Sequence, residues 1–191
     1  MKGIAIFIAG LAAGAVLVVA AHAHRTVRAN DATAALAHTR SEFSFTVDAP
    51  MEMAAPLFGA EAERAWGGES WNPRFVYPQP ASDVGGAVFF VKHGGHDSTW
   101  VATAQDFRGG HVQYVSLIDG AMATVIDIRL RAAGEKETAV TVVYERTALR
   151  RELNGHISEL AANDKTSGPH WASAINDYLK ALTDSRAALK P

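Results

Sequence analysis

Residues 122–149 read MATVIDIRLRAAGEKETAVTVVYERTAL, and the way their two faces separate decides the fold class. Thr124, Ile126, Ile128 and Leu130 fall on one side, while Asp127, Arg129 and Arg131 fall on the other. After the turn AAGEKE, Val140, Val142 and Tyr144 oppose Thr141 and Glu145. Successive side chains of a strand point to opposite faces, so this period of two marks a hairpin with one wet face and one apolar face. Such a sheet has to cover something apolar.

Upstream the same pattern repeats. GAVFFVKH (86–93), STWVATAQDF (98–107) and HVQYVSLID (111–119) are strand-like runs separated by short glycine-containing turns. That spacing predicts an antiparallel meander rather than βαβ units. SEFSFTVDAP (41–50) adds a strand in which Phe43, Phe45 and Val47 alternate with Ser44 and Thr46. Pro50 stops it and suits a helix start. MEMAAPLFGAEAERAW (51–66) then predicts short helices interrupted at Pro56 and Gly59.

Downstream, the period changes to that of a helix. Leu153, Ile157 and Leu160, then Trp171, Ile175, Tyr178, Leu179 and Leu182, recur at helical spacing. TSGP (166–169) separates the two segments, with Pro169 opening the second. The predicted class is α+β, a curved antiparallel sheet closed over a long C-terminal helix.

The bulk composition narrows the function classes. The chain has 191 residues, 48% of them hydrophobic and 20% charged, with a formal net charge of −2. Charges are scattered singly, which argues against a nucleic-acid partner. There is no cysteine, so disulfides, thiolate metal sites and cysteine nucleophiles are excluded.

At the N-terminus, Lys2 precedes an uncharged apolar run from Ile4 to Ala21 that ends in Ala21-His22-Ala23. Two readings fit. One is a cleaved secretory signal over 1–23, with a small-x-small cleavage site. The other is an uncleaved membrane anchor through 4–21, favoured by Arg25 and Arg28 after the run. Both place the folded part outside the cytoplasmic membrane if Lys2 stays inside. Residues 24–40 read as a linker, and the domain is expected over 41–186.

FSFTVDAP (43–50), the helix ending ERAWGGESWNP (63–73), Trp100, TAVTVVYERTAL (138–149) and the helix carrying Trp171 together resemble the SRPBCC superfamily. That superfamily includes START-related lipid carriers, birch-pollen-allergen-like proteins and polyketide cyclase or dehydratase-like proteins. The resemblance runs from about Ser41 to about Leu182. It implies a helix-grip fold with an elongated cavity for apolar or amphipathic small molecules. Relatives of this subtype are commonly cytoplasmic, whereas this chain begins with an export or anchor segment.

On this reading the cavity wall draws Phe89 and Val91 from one strand, although Val88 and Phe90 are equally apolar. Trp100 and Tyr114 come from the next two strands. Ile126, Ile128, Val142 and Tyr144 follow from the hairpin above. Trp171 and Ile175 close the cavity from the helix, and Trp71 leans over its mouth. The Tyr144 hydroxyl points either into the cavity or to a backbone partner. Glu61 and Glu63 read as helix-surface charges. Glu69, in the loop beside Trp71, is the carboxylate best placed for acid or base chemistry with Tyr144.

His93-Gly94-Gly95-His96 could hold a metal or form an exposed turn; the absence of a third nearby ligand favours the turn. No metal and no cofactor is implied. No G-x-S-x-G context or phosphate-binding glycine loop occurs in the chain. Three functions are therefore expected in order: a non-catalytic binder of a hydrophobic small molecule, lipid-like or aromatic; a cyclase or dehydratase-type enzyme; and a structural module whose cavity is filled by side chains.

Overall fold

A computed structural model describes residues 35–93 and 96–188, without the side chains of His93 and His96. The readings of residues 1–23 as signal or anchor, of 24–34 as linker, and of the His93–His96 turn lie outside what is described.

Seven antiparallel strands form one sheet. They are β1 (His38–Val47), β2 (Arg74–Tyr77), β3 (Val88–His93), β4 (His96–Asp106), β5 (His111–Ile118), β6 (Met122–Gly134) and β7 (Glu137–Ala148). Their order across the sheet is β1-β7-β6-β5-β4-β3-β2. Strands 2 to 7 are therefore a meander of hairpins, and β1 closes on β7. Between β1 and β2 lie helix α1 (Met51–Ala54) and two 3₁₀ turns, Ala55–Phe58 and Ala62–Ala65. Helices α2 (Asn154–Asp164) and α3 (Gly168–Ala188) follow the sheet.

The expected architecture is present, including the helix break at TSGP and the interruptions at Pro56 and Gly59. The strand start differs. β1 begins at His38, inside the segment read as linker, because β7 is long enough to pair with it: His38 faces Thr147 and Arg40 faces Glu145. Strand length here is set by the partner's free hydrogen-bonding edge, not by the hydrophobic pattern. Helix α3 runs to Ala188.

The core lies between the sheet's inner face and the helices. β7 shows the strictest alternation: Thr138, Val140, Val142, Tyr144, Arg146 and Ala148 are all buried. From β6, Thr124, Ile126, Ile128 and Leu130 join them. On β3 it is Phe89 and Val91 that turn inward, while Val88 and Phe90 are half-buried. Helix α3 approaches β1 so closely that a Cβ at Gly168 would lie 2.8 Å from the Ser44 carbonyl oxygen. Glycine is what permits that approach.

One irregularity matters for function. β4 and β5 pair Ala102 with Tyr114 but Ala104 with Gln113, so one residue is inserted at Thr103. A bulge of this kind reverses the phase of the strand beyond it. Ala102 is buried, and after the bulge it is Gln105, paired with Val112, that turns inward.

Candidate functional site

The site is built from the segment 55–71 pressed against the concave sheet. Three backbone carbonyls of this segment are each met by an aromatic donor. Trp66 Nε1 donates to Leu57 O at 2.8 Å, Trp71 Nε1 to Ala60 O at 2.9 Å, and the Tyr114 hydroxyl to Phe58 O at 2.9 Å. A short 3₁₀ turn leaves such carbonyls without helical partners, and aromatic N–H and O–H groups supply them while burying their rings. Asp83 serves the other polarity. Its carboxylate accepts from the backbone N–H of Glu61 at 2.8 Å and of Ala62 at 3.0 Å.

Two aromatic groups fill the interior on either side of this segment. Trp71, Phe75, Phe89, Trp100 and Tyr114 form one, with the Trp71 and Trp100 rings edge to face at 5.4 Å. Phe43, Phe45, Phe58, Trp66 and Trp171 form the other, with Trp66 and Trp171 centred 5.6 Å apart. Tyr144 stacks on Phe43 at 6.2 Å. Contacts of this type add about 0.5–1.5 kcal/mol per pair beyond the area they bury.

Polar groups converge among these rings. Glu63 is buried, and among the described residues its carboxyl makes no hydrogen bond. Burial pushes its pKa well above the glutamate range, and the neighbouring Asp83 carboxyl pushes it further the same way. Asp83 is also raised by burial, partly offset by the two N–H bonds it accepts. Both tyrosine hydroxyls are raised, first by burial. Gln105 lies opposite Val112, so the bulge places it on the face of the sheet that Tyr114 shares. Yet neither Nε2 nor Oε1 of Gln105 finds a partner at hydrogen-bond geometry, although both are sealed from solvent. An unpaired buried group of this sort costs about 1–3 kcal/mol.

The Glu63 shift fixes a pH dependence. The folded chain holds a proton on Glu63 that the unfolded chain gives up above its ordinary value of 4.5. Stability from this group is therefore fully present below that value and is lost as pH rises through the folded-state pKa. The variant Glu63→Gln cannot ionise. Its advantage in urea midpoint over the parent is expected to grow between about pH 4 and about pH 8. A constant difference across that range would place Glu63 in solvent.

No protein-family profile matches the chain, and no curated protein does. Solved structures do match in shape. Norcoclaurine synthase from Thalictrum flavum superposes with a TM-score of 0.54 at 11% identity, over 83% of this chain and 94% of that one. A point mutant of the same enzyme gives 0.56 at 13% identity, over 78% and 98%. A hypothetical protein from Helicobacter pylori gives 0.50 at 8% identity, over 66% and 88%. The chain has the helix-grip fold, a curved antiparallel sheet around a long C-terminal helix. At these identities the likeness is one of architecture.

Within the helix grip, each residue assigned to the cavity wall is buried on the inner side: Trp71, Phe89, Val91, Trp100, Tyr114, Ile126, Ile128, Val142, Tyr144, Trp171 and Ile175. Trp71 corrects its expected place. It does not lean over a mouth but sits in the core, its indole N–H held by Ala60. Glu69 corrects more strongly, since it is exposed in the turn that follows Gly67 and Gly68. The segment turns outward there because Gly68 takes φ +78°, a conformation that glycine adopts at little cost. The carboxylate that enters the helix grip is Glu63, which helical spacing alone places on the surface. Tyr114, not Tyr144, is the tyrosine whose hydroxyl is taken by backbone; the Tyr144 hydroxyl makes no hydrogen bond among the described residues.

Arg146 was not singled out by sequence. It is buried and paired with Asp164 at the end of α2, with Nη2 donating to Oδ1 at 3.1 Å and Nη1 to Oδ2. The Ser41 hydroxyl donates to the same Oδ2. The guanidinium also lies over the Tyr144 ring, 4.2 Å from its centre. No group of three metal-ligating side chains occurs among the described residues. Among them, too, no helix is long and apolar enough to cross a membrane.

Proposed function

We propose that this protein binds a hydrophobic small molecule, lipid-like or aromatic, between the sheet and α3, and that it does so outside the cytoplasmic membrane. The observation that carries the reading is the character of the inner face. It is apolar and aromatic from β3 to β7, yet Gln105 and Tyr144 on this face, and Glu63 on the buried side of the turn Ala62–Ala65, are left without hydrogen-bond partners. A core selected for stability alone pairs such groups or dispenses with them. Sites for small molecules combine apolar walls with a few polar groups in this way. One structure of the norcoclaurine synthase that shares the fold is a complex with dopamine and hydroxybenzaldehyde, which supports small molecules as the ligand class. The apolar run 4–21 supports export or tethering.

The test is native mass spectrometry of the full-length chain purified from its own host, followed by titration with N-phenyl-1-naphthylamine, a neutral apolar fluorophore. A copurified small molecule, or saturable enhancement of the fluorophore at micromolar protein, is expected. A bare polypeptide mass together with no saturable enhancement would overturn the proposal. Each 100 Å² of apolar ligand surface removed from water contributes about 2.5 kcal/mol before the costs of association.

Glu63 favours a second reading, catalysis of the cyclase or dehydratase type. A carboxyl kept protonated by burial can give its proton to a carbonyl or hydroxyl leaving group. Conversion of the copurified molecule by the parent and not by Glu63→Gln would favour catalysis over carriage.

A further inference from the structure

Gln105 is the least explained group in the molecule. Both ends of its amide are closed off from solvent and both lack partners. It faces inward only because the bulge at Thr103 turns it there. Beside it, the Tyr114 hydroxyl has spent its hydrogen on the Phe58 carbonyl, so its oxygen is left to accept. The Glu63 carboxyl is buried without a hydrogen-bond partner, on the 3₁₀ turn that follows the one whose Phe58 carbonyl holds that hydroxyl.

Resting on the binding role proposed above, we infer that Glu63, Gln105 and Tyr114 are the polar end of the interior site and take a neutral head group that both donates and accepts hydrogen bonds. A primary carboxamide on an aromatic or aliphatic body is the simplest such group. It matches the Gln105 amide donor to acceptor and acceptor to donor, and leaves a hydrogen for the Tyr114 oxygen.

Charged heads fit this set poorly. An anion would meet the Asp83 carboxylate, the neighbour that already pushes the Glu63 carboxyl toward its neutral form. The buried cation, Arg146, is already engaged with both oxygens of Asp164. An ammonium carries donors only, so it would leave the Gln105 N–H groups unpaired. It would also need Glu63 ionised, and burial opposes that. Asp83 is occupied in turn by the backbone N–H groups of Glu61 and Ala62.

The experiment compares four probes that share one apolar body: naphthalene, 2-naphthamide, 2-naphthoate and 2-naphthylmethylammonium. Each is titrated into the full-length chain and followed by ligand-observed NMR. The amide is expected to bind at least about tenfold tighter than the other three, as paired hydrogen bonds in a dry site imply. Gln105→Leu is expected to bring the amide down to the level of naphthalene and leave naphthalene unchanged. The same variant is expected to unfold at no lower urea concentration than the parent, since it removes a group that the empty protein leaves unsatisfied. Glu63→Gln, which keeps a donor and an acceptor, should retain the preference for the amide, and Glu63→Ala should weaken it.

Equal affinity for naphthalene and the amide would overturn the polar anchor while leaving apolar binding intact. Tightest binding of the ammonium would overturn it in favour of an ion-pairing Glu63. Equal loss of amide and naphthalene in Gln105→Leu would overturn the assignment to Gln105. Failure of all four probes to bind would overturn the binding role itself.

Discussion

Asp164→Ala is expected to lower the stability of the protein by about 3–5 kcal/mol, the range found when one partner of a buried ion pair is removed. The Arg146 and Asp164 side chains are 1% and 5% exposed, so water can replace little of what is lost. In the parent, the Asp164 carboxylate receives both terminal nitrogens of Arg146 and the Ser41 hydroxyl. Without it, the guanidinium keeps only the face of Tyr144, and its Nε already lacks a partner. The pair also ties the end of α2 to β7 and β1, so its loss is felt by three elements. Urea unfolding of the full-length chain measures the effect. The double variant Arg146→Met/Asp164→Leu is expected to recover most of the stability, because apolar side chains of similar volume replace a buried pair at little cost. A loss below about 1 kcal/mol in Asp164→Ala would mean that the pair is solvated like an exposed one.

Arg146 was legible in the sequence and Asp164 was not. Carried two residues past Tyr144, the alternation that puts Val140, Val142 and Tyr144 inside puts Arg146 inside as well. The charge of arginine argues against following the pattern there, and the structure shows that the pattern wins. Its partner comes from a helix whose position relative to β7 is a tertiary fact with no local signal.

Gln105 and Glu63 were hidden for different reasons. Unbroken alternation along β4 from the buried Trp100 would turn Ala104 inward and Gln105 outward. The inserted residue at Thr103 exchanges them, and nothing in WVATAQD announces a bulge. Glu63 was read on an α-helical period. The segment is a 3₁₀ turn with three residues per turn, so Glu63 and Trp66 share a face, and both are buried. The sheet and the long helix were legible because their periods run over many residues. The polar interior depends on single-residue shifts that a periodic reading averages away.

The aromatic corner 63–78 shows the same limit. The sequence points to Trp71 at the cavity mouth and to Glu69 beside it. The packing instead uses Trp66 and Trp71 as pins, each indole capping a carbonyl of the preceding turns. Pro73 and Pro78 bracket β2, as their lack of an N–H predicts for the ends of an edge strand. Which of Glu63 and Glu69 enters the core is decided by where the 3₁₀ turn ends. That end is set by Gly67, where a Cβ would lie 2.9 Å from the Glu63 carbonyl oxygen.

Trp171→Ala is expected to cost about 3–5 kcal/mol, the range for removing a large aromatic from a packed interior. The Trp171 ring lies 5.7 Å from Phe43, 6.1 Å from Phe45, 6.4 Å from Phe58 and 5.6 Å from Trp66. Through it α3 packs on both β1 and the segment 55–66, so alanine leaves those four rings facing a void. Trp171→Phe keeps a ring on α3 and is expected to cost less than half as much. The pair of variants also probes how the interior is filled. The cost of a truncation is a transfer contribution plus a cavity contribution, and the second vanishes where the side chain already borders open space. A loss near 4 kcal/mol, read from urea midpoints, would mark Trp171 as packed on all sides, with the ligand lying toward Gln105 and Tyr114. A loss nearer 2 kcal/mol, accompanied by unchanged or tighter binding of N-phenyl-1-naphthylamine, would mark its ring as bordering the ligand itself.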